Sequence, residues 1–294
     1  MQINKHGSFY LRNGWPTKII DAITERPYVF SPANEIDAVD CLGVGRVMVK
    51  AMRYWAYTTG ITVENKDQFG VRHELSELGS FIQEYDPFCR DLGTLWLLHR
   101  NIARDESNAT MWEWAFNVFG HRVFTKEKFV DSFFAFYQAN GGTNKKVAIE
   151  KEFDCFKNTY VSDKRFDLAK IMEEDTIPFF SPLGLIKYSG KGIFEMPIIS
   201  AKDIPEEIAL YCIIKDNQQH LQKKHQIDIE VLLDGQKQLG RYMSLSFSSL
   251  LELLQRLENS GKIVLVNNFG NRYIQLDNMN THEILENYYR ETAR

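Results

Sequence analysis

The chain has 294 residues but only four cysteines, Cys41, Cys89, Cys155 and Cys212. They lie far apart, with no Cys-x-x-Cys pair to hold zinc and too few bridges to staple a secreted scaffold, so free thiols are expected. Long apolar runs are also missing. None approaches the roughly 20 residues of a membrane-spanning helix, and the opening Met-Gln-Ile-Asn-Lys-His lacks the apolar stretch of a signal peptide, which points to the cytoplasm and to no membrane partner. Positive charge is not in excess: 35 Lys and Arg stand against 39 Asp and Glu, a net charge of -4. Attraction to nucleic acid would have to come from local patches. The Gly-x-x-x-x-Gly-Lys, Gly-x-Ser-x-Gly and His-Glu-x-x-His signatures are absent, which excludes the common ATPase, hydrolase and metalloprotease sites. Gly43-x-Gly45 is no dinucleotide loop, because Met48 stands where the third glycine belongs and no strand precedes it.

What is present is an ordinary core-forming composition. With 44% hydrophobic and 25% charged residues the chain can fold over most of its length, and its size suits two or three domains. One order of elements recurs three times: a helix, a turn, a second helix and a hairpin. The expected fold class is therefore mainly α with small β wings, three winged-helix units joined by a helical linker. The expected divisions are 1–90, 91–121, 122–200 and 201–294. In the first unit helices are expected at 35–42 and 46–59, a strand from 61, a loop at 65–70, a returning strand at 71–75 and a helix at 76–85. The linker holds helices at 92–104 and 111–119. The second unit has helices at 126–139 and 145–160 and a hairpin over 185–196. The third has helices at 206–215, 228–233 and 246–259, a hairpin over 262–276, and a short helix from 281.

In the first unit Arg46, Lys50, Arg53 and Tyr57 are spaced to share one narrow helical stripe, with Val47, Met48, Ala51, Met52 and Trp55 on the other side. No acidic residue lies between Cys41 and Thr59, so the stripe reads as three uncompensated charges suited to a DNA major groove; a solvated basic face would look similar. In the second unit Lys145, Lys146, Lys151 and Lys157 alternate with Glu150, Glu152 and Asp154, either as DNA contacts supported by Lys187 and Lys191 near the wing or as an i,i+4 network. The third unit's last helix exposes Ser248, Glu252, Gln255, Arg256 and Asn259, a face for protein rather than DNA.

Groups that could carry chemistry are scattered. His6 sits in a run with Arg12, Trp15 and Lys18, where His6 would be an acid, base or metal ligand and Arg12 and Lys18 would stabilise phosphate charge; the competing reading is an imidazole bonded in a domain seam. Asp91, His99 and Glu113 lie in the helical linker.

The run Lys5-His6-Gly7-Ser8-Phe9-Tyr10-Leu11-Arg12-Asn13-Gly14-Trp15 resembles the opening Gly-His-Glu-Thr-Phe-x-x-Arg-x-Gly-Trp of a bacterial domain-of-unknown-function family that includes SspB. Three later stretches agree: Leu42-Gly43-Val44-Gly45-Arg46-x-Met48-Val49 with Arg53-Tyr54-Trp55, Asp86-Pro87-Phe88 with Thr94-Leu95-Trp96-Leu97-Leu98-His99, and Trp112-x-Trp114-x-Phe116-Asn117. The resemblance covers about residues 1–215 and leaves the third unit out. It implies nicking of one strand of duplex DNA within the single-stranded phosphorothioation system of phage defence. The partners it implies are a cysteine desulfurase, an ATPase and an ATP-pyrophosphatase sulfur-transfer protein. Nicking needs charge stabilisation at the phosphate, often by a divalent ion such as Mg2+ on carboxylates or His, and the sequence shows no such set. The family's Glu after His is Gly7 here, which weakens any role resting on a His-Glu pair. A non-catalytic DNA-binding adaptor or transcriptional regulator is the alternative, and a scaffold that never touches DNA the third reading. A homodimer would suit a palindromic site.

Overall fold

The computed structural model describes residues 1, 3–161, 177–268, 270–277 and 279–292. They are mainly helical with three small antiparallel sheets. Helix α1 (Trp15–Glu25) was not among the expected elements; Pro16 fits its first turn, and Trp15, Ile19, Ile20 and Ile23 form its buried stripe. Then come α2 (Glu35–Leu42), α3 (Arg46–Thr58), the β1 (Thr62–Asp67) and β2 (Gly70–Leu75) hairpin, and α4 (Glu77–Tyr85), which Ser76 caps by accepting from the Gly79 N–H. Gly43, at φ 64, occupies the left-handed region that ends α2 and permits a sharp turn into α3. The ladder pairs Asp67 with Gly70, so only Gln68 and Phe69 turn the hairpin. The expected loop at 65–70 is largely strand.

The middle of the chain is α5 (Leu92–Arg104) and α6 (Thr110–Asn117), as the Trp and Leu spacing implied. Helix α5 is buried on almost every side, touching α6 and, across the fold, the later helices, which is why its apolar residues are not confined to one stripe. The next group runs β3 (Val123–Thr125), α7 (Lys126–Ala139), α8 (Lys146–Tyr160), β4 (Lys187–Gly190) and β5 (Ile193–Glu195), with sheet order β3-β5-β4. The last group runs α9 (Glu206–Asp216), α10 (Gln218–Lys224), β6 (Gln226–Asp228), α11 (Ile229–Asp234), α12 (Leu239–Tyr242), α13 (Phe247–Asn259), β7 (Val264–Asn268), β8 (Asn271–Gln275) and α14 (Thr281–Thr292), with sheet order β6-β8-β7. Both three-stranded sheets thus place a strand from before the intervening helices beside the last strand. β3 and β6 are three residues each, too short for alternation to reveal them.

The groups are tied together. The final helix, longer than the short tail expected, packs on α4 and α9. Its Tyr288 hydroxyl donates to Asp91 Oδ1 at 2.7 Å, and Tyr289 Oη lies 2.9 Å from Thr94 Oγ1. Gly93 makes the approach possible, since a Cβ there would sit 2.4 Å from Tyr288 Oη. The Asp216 carboxylate of α9 pairs with Arg100 and Arg104 of α5 and accepts the Tyr242 hydroxyl at 2.7 Å. Buried apolar residues from Leu11 to Tyr289 form one contiguous cluster.

Candidate nucleic-acid interface

His6 is fully buried. Its Nδ1 accepts the Ser8 N–H at 3.1 Å, which leaves Nε2 as the donor to Glu152 Oε2 at 3.0 Å. The same carboxylate oxygen, on α8, accepts the Asn4 N–H at 2.6 Å. The imidazole lies parallel to Trp55, 6.0 Å between centroids, with Tyr54 and Trp112 edge-on at 5.6 and 5.8 Å. Glu152 therefore supplies across the fold the carboxylate that the residue after His6 does not. Gly7 itself is at φ 56, and a Cβ there would come within 3.1 Å of Val47 Cγ1, so a side chain at that position would be strained. With both nitrogens engaged and no exposed edge, His6 ties the N-terminal run to α3, α6 and α8.

Arg12 is different. Its guanidinium carbon lies 5.5 to 5.8 Å from the Phe9, Tyr10 and Trp15 ring centroids, and among the described residues no carboxylate pairs with it. Lys18 is exposed on α1. Phe9 and Trp15 thus hold the arginine as well as anchoring the segment.

On α3, Arg46, Lys50 and Tyr57 are exposed and Arg53 is half-buried. The charges are not uncompensated. Lys50 Nζ lies 3.2 Å from Glu35 on α2, and Arg53 donates through Nε and Nη2 to the two carboxylate oxygens of Glu64 on β1, each at 2.9 Å. The acids come from neighbouring elements, which an inspection of the helix alone does not find. Among the described residues, Arg46 is the stripe cation without an acidic partner. Val47, expected on the packed side, is 55% exposed. Burial works against ionisation of Glu64, but the Arg53 hydrogen bonds and charge outweigh it and hold its carboxyl below the usual range. Beneath them His73, paired with Glu64 across the ladder, is buried with no hydrogen-bond partner for either ring nitrogen, and burial pushes its pKa down.

On the second group Lys145 and Lys151 are exposed without acidic partners among the described residues, whereas Lys146 pairs with Asp131 of α7. Lys126 of α7 pairs with Asp154 at 2.6 Å, so the charge network runs between helices rather than along α8. Lys157 is half-buried, and Lys187 and Lys191 are exposed on the β4–β5 hairpin. In the third group Arg256 points inward, donating to the Ala201 and Ile204 carbonyls, which leaves Glu252 and Glu258 as the charges on the outer face of α13.

Asp91, His99 and Glu113 do not converge. Asp91 Oδ1 caps α5 and accepts from Tyr288; Glu113 is buried, its pKa raised by that burial, with Gln236 as its side-chain donor. His99 is fully buried, its Nε2 2.8 Å from the Tyr242 carbonyl and its Nδ1 2.8 Å from Tyr160 Oη, and burial pushes its pKa down to about 4. Among the described residues no three His, Cys, Asp or Glu side chains gather as a metal site. These residues do not fit a protein cage for Mg2+. Likewise, no described helix is long and apolar enough to cross a membrane.

The architecture is that of a known fold. Over 99% of this chain and 88% of the other, it superposes on a magnesium ion-bound SspB crystal structure with a TM-score of 0.82 at 22% identity. A second SspB crystal structure matches with a TM-score of 0.81 at 21% identity, covering the same shares. No curated protein matches. The chain belongs to the family described as protein of unknown function (DUF4007), which it matches over residues 3–289. That span takes in the third group, which the motif resemblance had left outside.

Proposed function

We propose that this protein binds duplex DNA through winged-helix units and nicks one strand as a component of a phosphorothioate-modification and phage-defence system. The observation that carries the reading is the match of fold to SspB along 99% of the chain. The order helix, turn, helix, hairpin at α2 to β2, and the like-ordered sheets β3-β5-β4 and β6-β8-β7, support winged-helix units with divisions near 90, 121 and 200. Arg46, Lys50 and Tyr57 of α3 would meet DNA, with Arg53 joining if phosphate displaces Glu64, while Lys145, Lys146 and Lys151 extend the contact. Arg12 and Lys18 are the groups suited to a phosphate. The partners would be an ATPase and an ATP-pyrophosphatase sulfur-transfer protein.

A second reading, a DNA-binding adaptor without its own chemistry, is favoured by His6: the sequence-nominated acid or base is sealed in the core with both nitrogens bonded. Supercoiled plasmid incubated with the protein, with and without Mg2+, separates the two. Conversion to open circles supports nicking. Retarded plasmid with no conversion supports the adaptor, and a plasmid neither retarded nor converted would overturn both readings.

A further inference from the structure

A cavity of about 200 Å³ lies where the end of α6 and the turn into β3 meet α11 and α12. Its floor is apolar, made by Phe116, Met196, Leu233 and Leu245, and its rim carries His121, Arg122 and Arg241 with one carboxylate, Asp234. Two guanidiniums against one carboxylate leave a rim suited to an anion. Polar surface outweighs apolar surface in the lining and the volume is smaller than that of a drug-sized site, so an occupant would extend past the rim.

The two arginines are held differently. Arg122 donates through Nη1 to Ser244 Oγ at 2.9 Å and to the Met196 carbonyl at 3.3 Å, while Ser244 donates in turn to the Pro197 carbonyl at 2.6 Å. Ser244 is buried at φ 55, a conformation that costs a non-glycine residue free energy and persists because its surroundings fix it. Arg122 is thereby positioned at the rim, and among the described residues no carboxylate neutralises it. Arg241 lies 3.3 Å from Asp234 through Nη2 and donates to the Asp234 carbonyl at 3.2 Å. That pair is substantially exposed, so it is weak and can yield to a ligand anion.

From this geometry we propose that the cavity binds a single nucleotide, its phosphate on Arg122 and Arg241 beside His121, its base and sugar over the apolar floor. A bare phosphate would leave the floor uncovered; a mononucleotide is somewhat larger than the cavity and would overhang its open mouth, whereas a dinucleotide would lie mostly outside it. The nucleotide has two sources, free in solution or unpaired within a DNA strand. The cavity shares no residue with the α3 face, so the proposal holds or fails independently of the DNA-binding reading.

The test is calorimetric titration of the full chain with dAMP, deoxyadenosine, inorganic phosphate and a single-stranded oligo(dA). Saturable binding of dAMP or of oligo(dA) is expected, with deoxyadenosine and inorganic phosphate at least roughly tenfold weaker. Tighter dAMP identifies a free nucleotide as the ligand; tighter oligo(dA) identifies a strand nucleotide; both uphold the proposal. Arg122→Gln should weaken the bound probe by roughly tenfold or more. Because that change also removes the bonds to Ser244 and Met196, Arg241→Gln is the second variant, with melting temperature as the check on folding and a loss of similar size expected. No saturable binding of either nucleotide probe, equal affinity for deoxyadenosine, or binding that neither variant weakens would overturn the proposal.

Discussion

Helices α3 and α13 are each 13 residues long and each leads directly into a hairpin, yet they turn opposite charge outward. Inside, the two are alike: Ala51, Met52 and Trp55 are buried on one, Leu250, Leu253, Leu254 and Leu257 on the other. Outside, α3 shows Arg46, Lys50 and Tyr57, whereas α13 shows Ser248, Glu252, Gln255 and Glu258 and folds its arginine back onto the Ala201 and Ile204 carbonyls. Apolar spacing fixes the frame and leaves the outer positions free to differ. The shared frame says little about what either helix touches; the exposed residues and their partners decide that.

The largest expected effect tests whether these two helices belong to one cooperative body. Asp216 answers Arg100 and Arg104 from α5 and the hydroxyl of Tyr242, joining the third group to the helical middle. Removing one partner of a buried ionic cluster leaves the others uncompensated, so Asp216→Ala should cost about 3 to 5 kcal/mol. Thermal or urea melting followed by near-UV circular dichroism should show one transition at lower stability. Two separated transitions would mean that the groups melt as independent modules.

Next in size is the acid limb of stability, to which His99 in that same middle region contributes alongside the buried His73. Unfolded, its imidazole protonates near its ordinary 6.5; folded, burial delays this to about 4. Between those values the unfolded chain holds the extra proton, so stability falls as pH falls, by up to about 3 kcal/mol across the window. Urea titrations at pH 6.5, 5.5 and 4.5 read this directly. A flat profile would contradict the buried, doubly bonded ring.

The outward faces differ by a smaller amount. Changing Arg46, Lys50 and Arg53 together to Gln should weaken duplex binding by roughly tenfold or more and reduce the salt slope by up to about three. Glu252→Gln on α13 should leave affinity within roughly twofold at the same salt. Fluorescence anisotropy with a labelled duplex measures both, and equal responses would erase the distinction between the helices.

Much of the frame was legible because helical periodicity and caps are local. The helices expected at 35–42, 92–104, 126–139, 206–215 and 246–259 begin within a residue of α2, α5, α7, α9 and α13. Helix α1 carries the Trp15, Ile19, Ile23 stripe but has no side-chain cap, no acid in its first turn and no base in its last, so its ends bear little local signal. Its neighbours show the general limit. The partner of His6 is 146 positions away, and those of Arg53 and Lys50 lie on other elements. A helical wheel reports which residues share a face but not which acids the fold brings to it. The carboxylates of the hairpin and the preceding helix carry the local signal, since Glu64 and Glu35 are both within twenty residues of their partners.

The smallest effect concerns Glu64, which separates an available charge on α3 from a neutralised one. Its carboxylate binds Arg53 through two hydrogen bonds of 2.9 Å, and both side chains are only partly buried, at 31% and 25% exposure. Such a pair contributes about 1 kcal/mol or less once screened by solvent, comparable to what a phosphate contact would return. Glu64→Gln keeps an acceptor for one Arg53 N–H but removes the charge. Duplex affinity should then rise severalfold and the salt slope steepen by up to about one, because one more cation meets phosphate without first leaving a carboxylate. Glu35→Gln, which frees the more exposed Lys50, should change affinity less, since that pair is already well solvated. Salt titrations of the two variants side by side make the measurement. Unchanged slopes would place Arg53 away from the nucleic acid, and weaker binding by Glu64→Gln would mean that the pair serves to orient α3 rather than to mask its charge.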